Sequence, residues 1–346
     1  MSGRVAIIGA GSWGTALACA LAGGAPEGGI NLWSRDPQQA EVMRTTRHNP
    51  RYLSDVAIPV EVDICDDLSV ALTDAGLIIL TVPAKAMATT ARAVSGVLRT
   101  HLRHVPEIPL VLSAAKGLDP GTGQLMSQLL VDIMGDRAVT GALSGPNIAR
   151  EVAQGLPATT VIACRDGTRA LEAQRRISCH RLRAYTNDDV VGVEVGGAMK
   201  NVIAIAAGIA DGMKAGDNAK AAIMTRGLVE MSRLGAALGA RQSTFAGLTG
   251  LGDLIVTCVS PLSRNHALGI GIGEGKSVTE MEAELKMVAE GVNTTREALR
   301  LGRRLEVDLP IAEAVAAVLF EDADLMQTAL SLMARTGRSE LEGLNF

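Results

Sequence analysis

Val5-Ala6-Ile7-Ile8-Gly9-Ala10-Gly11-Ser12-Trp13-Gly14-Thr15 opens the chain's reading, because three kinds of local structure follow one another within it. An apolar run of strand length ends at Gly9, the pattern GxGxxG occupies Gly9 to Gly14, and residues at helical spacing run from Thr15 to Leu21. Strand, tight glycine turn and helix in that order start a dinucleotide-binding βαβ unit. The first glycine makes the turn, the second lets backbone approach a pyrophosphate, and the third lets helix lie close to strand. Free N–H groups at the helix start then hold the phosphates. Gly9, Gly11, Ser12, Trp13 and Gly14 are therefore cofactor-contact candidates.

Working outward, short apolar runs alternate with longer amphipathic ones as far as about residue 186. Strands are expected at Val5 to Gly9, Ile30 to Trp33, Leu77 to Thr81, Leu110 to Ser113, Ala138 to Ser144, Thr159 to Ala163 and Leu182 to Thr186. Runs as continuously apolar as Leu77-Ile78-Ile79-Leu80 imply a parallel sheet covered on both faces. Beyond Asp188 the alternation stops, and Ala, Leu, Met and Glu recur at helical spacing. The expected fold is α/β: a doubly wound Rossmann-type domain over 1–188, then an all-α domain over 189–346, with a cleft at their junction. Its 346 residues suffice for two cores.

Composition narrows the function. Aromatic residues are 2% of the chain, so no stacking ladder for bases exists, and a net charge of −4 supplies no basic footprint for a nucleic acid. Small-molecule chemistry is left as the leading class. The five cysteines, Cys19, Cys65, Cys164, Cys179 and Cys258, are odd in number and contain no CxxC, which argues against a disulfide framework or zinc site and for a reducing compartment. The histidines, dispersed and without carboxylates nearby in sequence, read as solvated surface, so no metal is expected. Two stretches imitate membrane segments. Glycines at 9, 11 and 14 break the N-terminal one, and four glycines with Lys200-Asn201 mark Val190 to Ala210 as a buried helix, so no membrane span and a cytoplasmic location are expected.

The end of the second strand bears on cofactor choice. An acidic residue there would hold a free ribose 2′-hydroxyl, but Ile30 to Trp33 runs into Ser34-Arg35. An arginine suits a 2′-phosphate, so NADP(H) is preferred, with NAD(H) as the alternative. Asp36 falls late for the acidic role and reads as the cap of a helix beginning at Pro37.

Six further segments carry a resemblance that spans nearly the whole chain. They are Ser113-Ala114-Ala115-Lys116-Gly117, Ser144-Gly145-Pro146-Asn147-Ile148-Ala149, Gly196-Gly197-Ala198-Met199-Lys200-Asn201, Gly247-Leu248-Thr249-Gly250-Leu251-Gly252-Asp253, Ser263-Arg264-Asn265 and Val288-Ala289-Glu290-Gly291. With them the sequence resembles bacterial NAD(P)-dependent sn-glycerol-3-phosphate dehydrogenases. The resemblance implies reduction of dihydroxyacetone phosphate to glycerol 3-phosphate, feeding glycerophospholipid synthesis. It implies Lys200 as the proton-transfer residue, with Lys116 and Asp253 beside it in the catalytic group. Substrate contacts are implied for Lys116, Gly145, Lys200, Asp253, Ser263, Arg264 and Asn265, and cofactor contacts for Lys116, Asn147, Ala149, Arg264, Val288 and Glu290. Asn147 departs from the Ser or Thr that the family commonly carries, but keeps a polar side chain.

Elementary chemistry stands beside the resemblance. On a helix Val193, Gly196, Gly197, Lys200 and Ala204 share one stripe, which should leave the lysine on a face bare enough for substrate. A lysine in apolar surroundings near a second lysine should have a lowered pKa, suited to exchanging a proton near neutrality. Ser263-Arg264-Asn265 should open a helix, where N–H groups, a hydroxyl, a guanidinium and an amide converge on a phosphate dianion. Two rivals remain at this point: a related two-domain hydroxy-acid dehydrogenase, whose substrate would present a carboxylate instead, and a non-catalytic dinucleotide-binding regulator, which has no use for the lysines. The apolar helical stretch near Ala312 to Leu319 reads as core or as the contact of a homodimer.

Overall fold

A computed structural model describes residues 3–24, 28–101, 108–285, 289–335 and 339. The chain forms two compact units, Met1–Ala115 with Met126–Val190, and Lys116–Leu125 with Val191–Phe346. The segment Lys116–Leu125 thus leaves the first unit to join the second, an excursion that local sequence patterning does not signal.

Among the described residues the first unit holds ten strands: β1 (Arg4–Ile8), β2 (Ile30–Trp33), β3 (His48–Asn49), β4 (Leu53–Ala57), β5 (Val62–Cys65), β6 (Ala75–Leu80), β7 (Leu110–Ser113), β8 (Val139–Ser144), β9 (Ala158–Ala163) and β10 (Leu182–Asn187). Eight make one sheet in the order β10-β9-β8-β7-β6-β1-β2-β5, and β3 with β4 forms a separate antiparallel ribbon. From β5 to β8 every pairing is parallel, and the order reverses direction beside β1, as in a doubly wound fold. Alternation along β1 shows why these strands read as continuously apolar. Val5 and Ile7 join the core containing Leu17 and Leu21 of the helix Ser12–Ala22, whereas Ala6 and Ile8 join the core containing Met87, Ala91 and Val94 of the helix Ala84–His101. Both faces of β1 are covered, and Val5 to Ile8 accordingly carry no polar side chain.

The seven expected strands all form, with ends shifted by at most two residues. Three features differ from the sequence reading. Strand β5 has only four residues and an exposed Asp63, too short and too mixed for a periodicity signal. The β3–β4 ribbon is similarly brief. The pairing of β8 with β9 is antiparallel rather than parallel. Its connection, residues 145–157, contains a single short helix, Ala149–Ala153, and lets the chain fold straight back. Strand β10 closes that rim with buried Leu182 and Ala184 alternating with exposed Arg183 and Tyr185.

The second unit is helical. Its central helix, Val190–Gly212, is long and apolar enough to cross a membrane, yet 89% of its most apolar window is buried. Val202, Ile203 and Ile205 from it meet Met231, Leu254, Leu268, Leu301 and Val315 in one core, where Ala312 and Leu319 also lie. It crosses the helix Arg264–Gly273 on glycines: a Cβ at Gly208 would stand 2.2 Å from the His266 carbonyl oxygen, and one at Gly269 would stand 2.2 Å from that of Ile205. Only bare backbone permits this approach, and it sets the beginning of the second helix close beside the middle of the first.

Candidate active site

Lys200 stands in the middle of the central helix and Asp253 at the start of the helix Asp253–Val259. The turn before Asp253, Leu248–Gly252, is pressed against the central helix at Gly196, where a Cβ would come within 2.6 Å of the Thr249 carbonyl oxygen. The bare face expected around Lys200 is therefore occupied at Gly196 by protein backbone, and the glycine serves to bring Asp253 up to the lysine.

Asp253, only 1% exposed, bridges two lysines. Lys200 donates to its Oδ1, and Lys116 donates to its Oδ2 at 2.8 Å. Lys200 also donates to Thr257 Oγ1 at 2.8 Å, and that hydroxyl donates to the Asp253 carbonyl at 2.6 Å. Thr257, one turn beyond Asp253, went unnoticed in the sequence, although an i,i+4 Asp–Thr pair on one helix was its signal. Burial pushes the Lys200 ammonium from its ordinary 10.5 down to about 7. Asp253 opposes that change and Lys116 reinforces it. Two ammonium groups on one carboxylate leave the cluster net positive when both are protonated, an environment that favours a forming oxyanion.

Lys116 reaches this cluster because its own segment is fixed to the second unit. Asn201 Nδ2 donates to the Lys116 carbonyl at 2.9 Å, the Gly121 N–H donates to Glu297 Oε1 at 3.1 Å, and Arg300 donates to the Gly121 carbonyl at 2.7 Å. Asn265 continues the chain of amides, donating to Asn201 Oδ1 at 2.9 Å and accepting from the Gly291 N–H at 3.0 Å. Of these side chains only Asn265 was singled out from sequence, as a substrate contact. In the structure its carboxamide also ties the helix Arg264–Gly273 to Asn201 and Gly291.

Ser263 caps that helix, its Oγ accepting from the His266 N–H at 3.3 Å, and Arg264 follows as an exposed first residue. His266 corrects the reading of all histidines as solvated surface. It is buried, and its Nε2 lies 2.8 Å from Asp211 Oδ2, which also pairs with Lys220 at 2.7 Å. The carboxylate is distant in sequence and adjacent only in the fold. Burial works against the charge on Asp211, but the bonds from Lys220 and His266 prevail and hold its pKa below the usual carboxylate range. Glu290 begins the helix Glu290–Leu305, whereas Val288 lies outside the described residues. Among the described residues no group of three His, Cys, Asp or Glu side chains is placed to hold a metal ion.

The other candidates belong to the first unit. Gly9 has φ +123°, closed to most side chains, and a Cβ on Gly14 would fall 1.9 Å from the Gly9 carbonyl oxygen. A Cβ on Gly11, by contrast, would meet nothing within 4 Å. Gly11 caps the helix Ser12–Ala22, whose first N–H groups lack intrahelical acceptors. Open space over a helix start fits a nucleotide pyrophosphate. Ser12 Oγ donates to the Tyr52 carbonyl at 3.3 Å, which brings Tyr52, a residue not singled out from sequence, to the same place. Asp36 caps the helix Pro37–Thr46 as expected, accepting from the Gln38 and Gln39 N–H groups, and Arg35 beside it is exposed. After β8, Gly145 has φ +131°, Asn147 donates to the Thr159 carbonyl at 2.7 Å while its Oδ1 is buried without a partner, and Ala149 opens a short helix.

Comparison with known proteins adds a family context. Residues 4–170 match the family described as NAD-dependent glycerol-3-phosphate dehydrogenase N-terminus, and residues 189–330 match the corresponding C-terminus. The chain is 46% identical over 342 residues to a protein of Salinibacter ruber named glycerol-3-phosphate dehydrogenase, NAD(P)+, with 98% of this chain and 97% of that one covered. A protein of Dechloromonas aromatica with the same name is 44% identical, with 98% and 99% covered. The crystal structure of glycerol-3-phosphate dehydrogenase from Coxiella burnetii matches with a TM-score of 0.89 at 34% identity, covering 96% of this chain and 99% of that one.

Proposed function

The chain belongs to the NAD-dependent glycerol-3-phosphate dehydrogenase family, and on that premise we propose that it reduces dihydroxyacetone phosphate to sn-glycerol 3-phosphate, reversibly, with a nicotinamide dinucleotide. The observation that carries this reading is the buried bridge from Asp253 to Lys200 and Lys116. The first unit serves as the cofactor domain, holding the pyrophosphate over Gly9 to Gly14. The second serves as the substrate domain. When bound, the dinucleotide supplies the hydride that reaches C2 of the substrate.

As negative charge develops on the C2 oxygen, the Lys200 ammonium stabilises it and transfers a proton to it, so that the ketone leaves as a secondary alcohol. A pKa near 7 makes that donor almost as ready to lose its proton as to regain it, which serves both directions. Two of its three N–H bonds are directed by Asp253 and Thr257, and the third is assigned to substrate. Lys116 is assigned to the substrate as well. Ser263, Arg264 and Asn265 at the start of their helix bind the phosphate, using a guanidinium, a hydroxyl and the helix N–H groups, and so fix C2 near the lysine. On the cofactor side, Arg35 is assigned to the 2′-phosphate, favouring NADPH over NADH. Asp36 supports this choice, because its carboxylate is committed to its own helix. Five free cysteines support a reducing cytoplasmic location.

Mixing the purified protein with NADPH and dihydroxyacetone phosphate tests the proposal. Loss of the reduced nicotinamide absorbance is expected only when both are present. Oxidation with a hydroxy-acid precursor in place of the phosphate ester would overturn it. Arg35→Asp should erase the difference in affinity between NADPH and NADH, and an unchanged preference would remove Arg35 from the account.

A further inference from the structure

The glycine turn that begins the first helix is held from behind by three side chains of the same unit. Thr81 Oγ1 donates to the Gly9 carbonyl at 2.8 Å. The next carbonyl, Ala10, accepts two amide donors at once, Gln39 Nε2 at 2.9 Å and Asn49 Nδ2 at 3.0 Å. Asn49 is fully buried and also donates to Thr15 Oγ1 at 2.8 Å, inside the helix that the turn opens. Gln39 in turn donates to Asn49 Oδ1 at 3.2 Å and accepts from Ser34 Oγ at 3.2 Å. These donors come from the helix Pro37–Thr46, from β3 and from the residue after β6; pairing of β6 with β1 brings Thr81 to the turn, and Gln39 and Asn49 reach it from outside that pairing.

Planarity of the peptide gives the convergence a consequence. In a trans amide the C=O and the following N–H point in opposite directions. A Gly9 carbonyl fixed toward Thr81 aims the Ala10 N–H the other way, and an Ala10 carbonyl fixed toward Gln39 and Asn49 does the same to the Gly11 N–H. Gly11 is the glycine whose Cβ position faces open space. Without the two amides, the Ala10–Gly11 peptide, whose plane turns on the φ of a glycine, would have several orientations of similar energy. We propose that Gln39 and Asn49 are positioning residues for the cofactor: they lock the Ala10–Gly11 peptide so that its N–H is directed at the pyrophosphate before the dinucleotide arrives. This rests on the reading of the turn as a dinucleotide site. It also gives the β3–β4 ribbon a role, since that ribbon delivers Asn49. Ser34, at the end of β2, completes the network by donating to Gln39 Oε1.

The test is titration of two ligands into wild type, Gln39→Met and Asn49→Leu, with the unfolding midpoint of each ligand-free protein measured alongside. Both substitutions remove donors at nearly constant size without adding charge. Gln39→Met guards against failure of the fully buried Asn49→Leu to fold. ADP-ribose carries the pyrophosphate, and adenosine 2′-monophosphate does not. Loss of one orienting hydrogen bond should weaken ADP-ribose roughly threefold to tenfold, while adenosine 2′-monophosphate changes less than twofold. Equal affinity of wild type and Gln39→Met for ADP-ribose overturns the positioning role, and so does parallel weakening of both ligands, the mark of general loosening. Failure of wild type to bind ADP-ribose would instead overturn the dinucleotide reading on which the proposal rests.

Discussion

In the first unit the binding proposed for the glycine turn is assigned to backbone, and side chains such as Thr81, Gln39 and Asn49 hydrogen-bond to that backbone from behind. In the second unit the roles are exchanged. There the backbone is made inconspicuous, with glycines at 196, 208 and 269 letting segments press together, and the proposed chemistry is assigned to side chains, Lys200, Asp253, Lys116 and Thr257. The difference has a physical root. A pyrophosphate is bound by oriented N–H dipoles, which one contiguous strand–turn–helix can supply. Proton transfer to a substrate oxygen needs a desolvated, charge-balanced side chain, and desolvation requires several elements packed around it. On this account the first unit should lose a supporting side chain at modest cost to binding, whereas the second should lose turnover when a single nitrogen is removed.

Lys200→Met presses that contrast hardest. Turnover should fall on the order of 100- to 10,000-fold, the scale for losing a general acid, while NADPH affinity stays unchanged. The buried carboxylate keeps its bond from Lys116, so the fold should survive. Stopped-flow turnover together with cofactor titration reads both halves. Near-normal turnover would mean that another group donates the proton.

Arg264→Ala comes next. A charge-assisted contact to the phosphate dianion contributes roughly 1.5–3 kcal/mol, so kcat/KM for dihydroxyacetone phosphate should drop about tenfold to a hundredfold. Inorganic phosphate should compete with substrate in wild type and lose that effect in the variant at fixed ionic strength. Equal inhibition of the two proteins would place the anion elsewhere.

The smallest effect separates capping from binding on the same helix. Ser263→Ala removes the bond from the His266 N–H and should cost about 1 kcal/mol of unfolding free energy, which denaturant titration of the second unit's signal would register. Arg264→Ala should leave stability within about 0.5 kcal/mol, as expected for an exposed side chain. If the two variants exchange these signatures, the division of labour along the helix is wrong.

The same contrast explains what could be read in advance. The main strands and the glycine turn were legible because their signals are local: Leu77 to Leu80 is a short apolar run of strand length with β-branched Ile78 and Ile79 at its centre, and Gly9 to Gly14 carry their own geometry. Strand β5 and the β3–β4 ribbon escaped because they are short and owe their pairing to neighbours rather than to periodicity. On the catalytic side, the roles assigned to Lys116 and Asp253 came through resemblance and only Lys200 had a local argument, the stripe of its helix; Lys116 and Lys200 stand 84 positions apart, and nothing local says that they meet. Asn201 as an anchor and the His266–Asp211 pair were illegible for the same reason, and Thr257 offered only its i,i+4 spacing from Asp253. Their meaning lies in contacts across the fold. Gly196 is the instructive reversal: its lack of a side chain was visible, but whether the space served substrate or the Thr249 backbone could be decided only by the packing.

The central claim, that a buried Lys200 moves the proton, is tested most directly by the pH dependence of hydride transfer measured in single turnovers in both directions. With a pKa near 7, the lysine is charged below that value and neutral above it. Reduction needs the charged donor, so its rate should be flat at low pH and fall tenfold per unit above about 7. Oxidation needs the neutral base, so its rate should rise to about pH 7 and then level off. Lys200→Met should remove both bends. A wild-type profile with no bend between pH 6 and 9, or a bend that survives in Lys200→Met, would contradict the assignment.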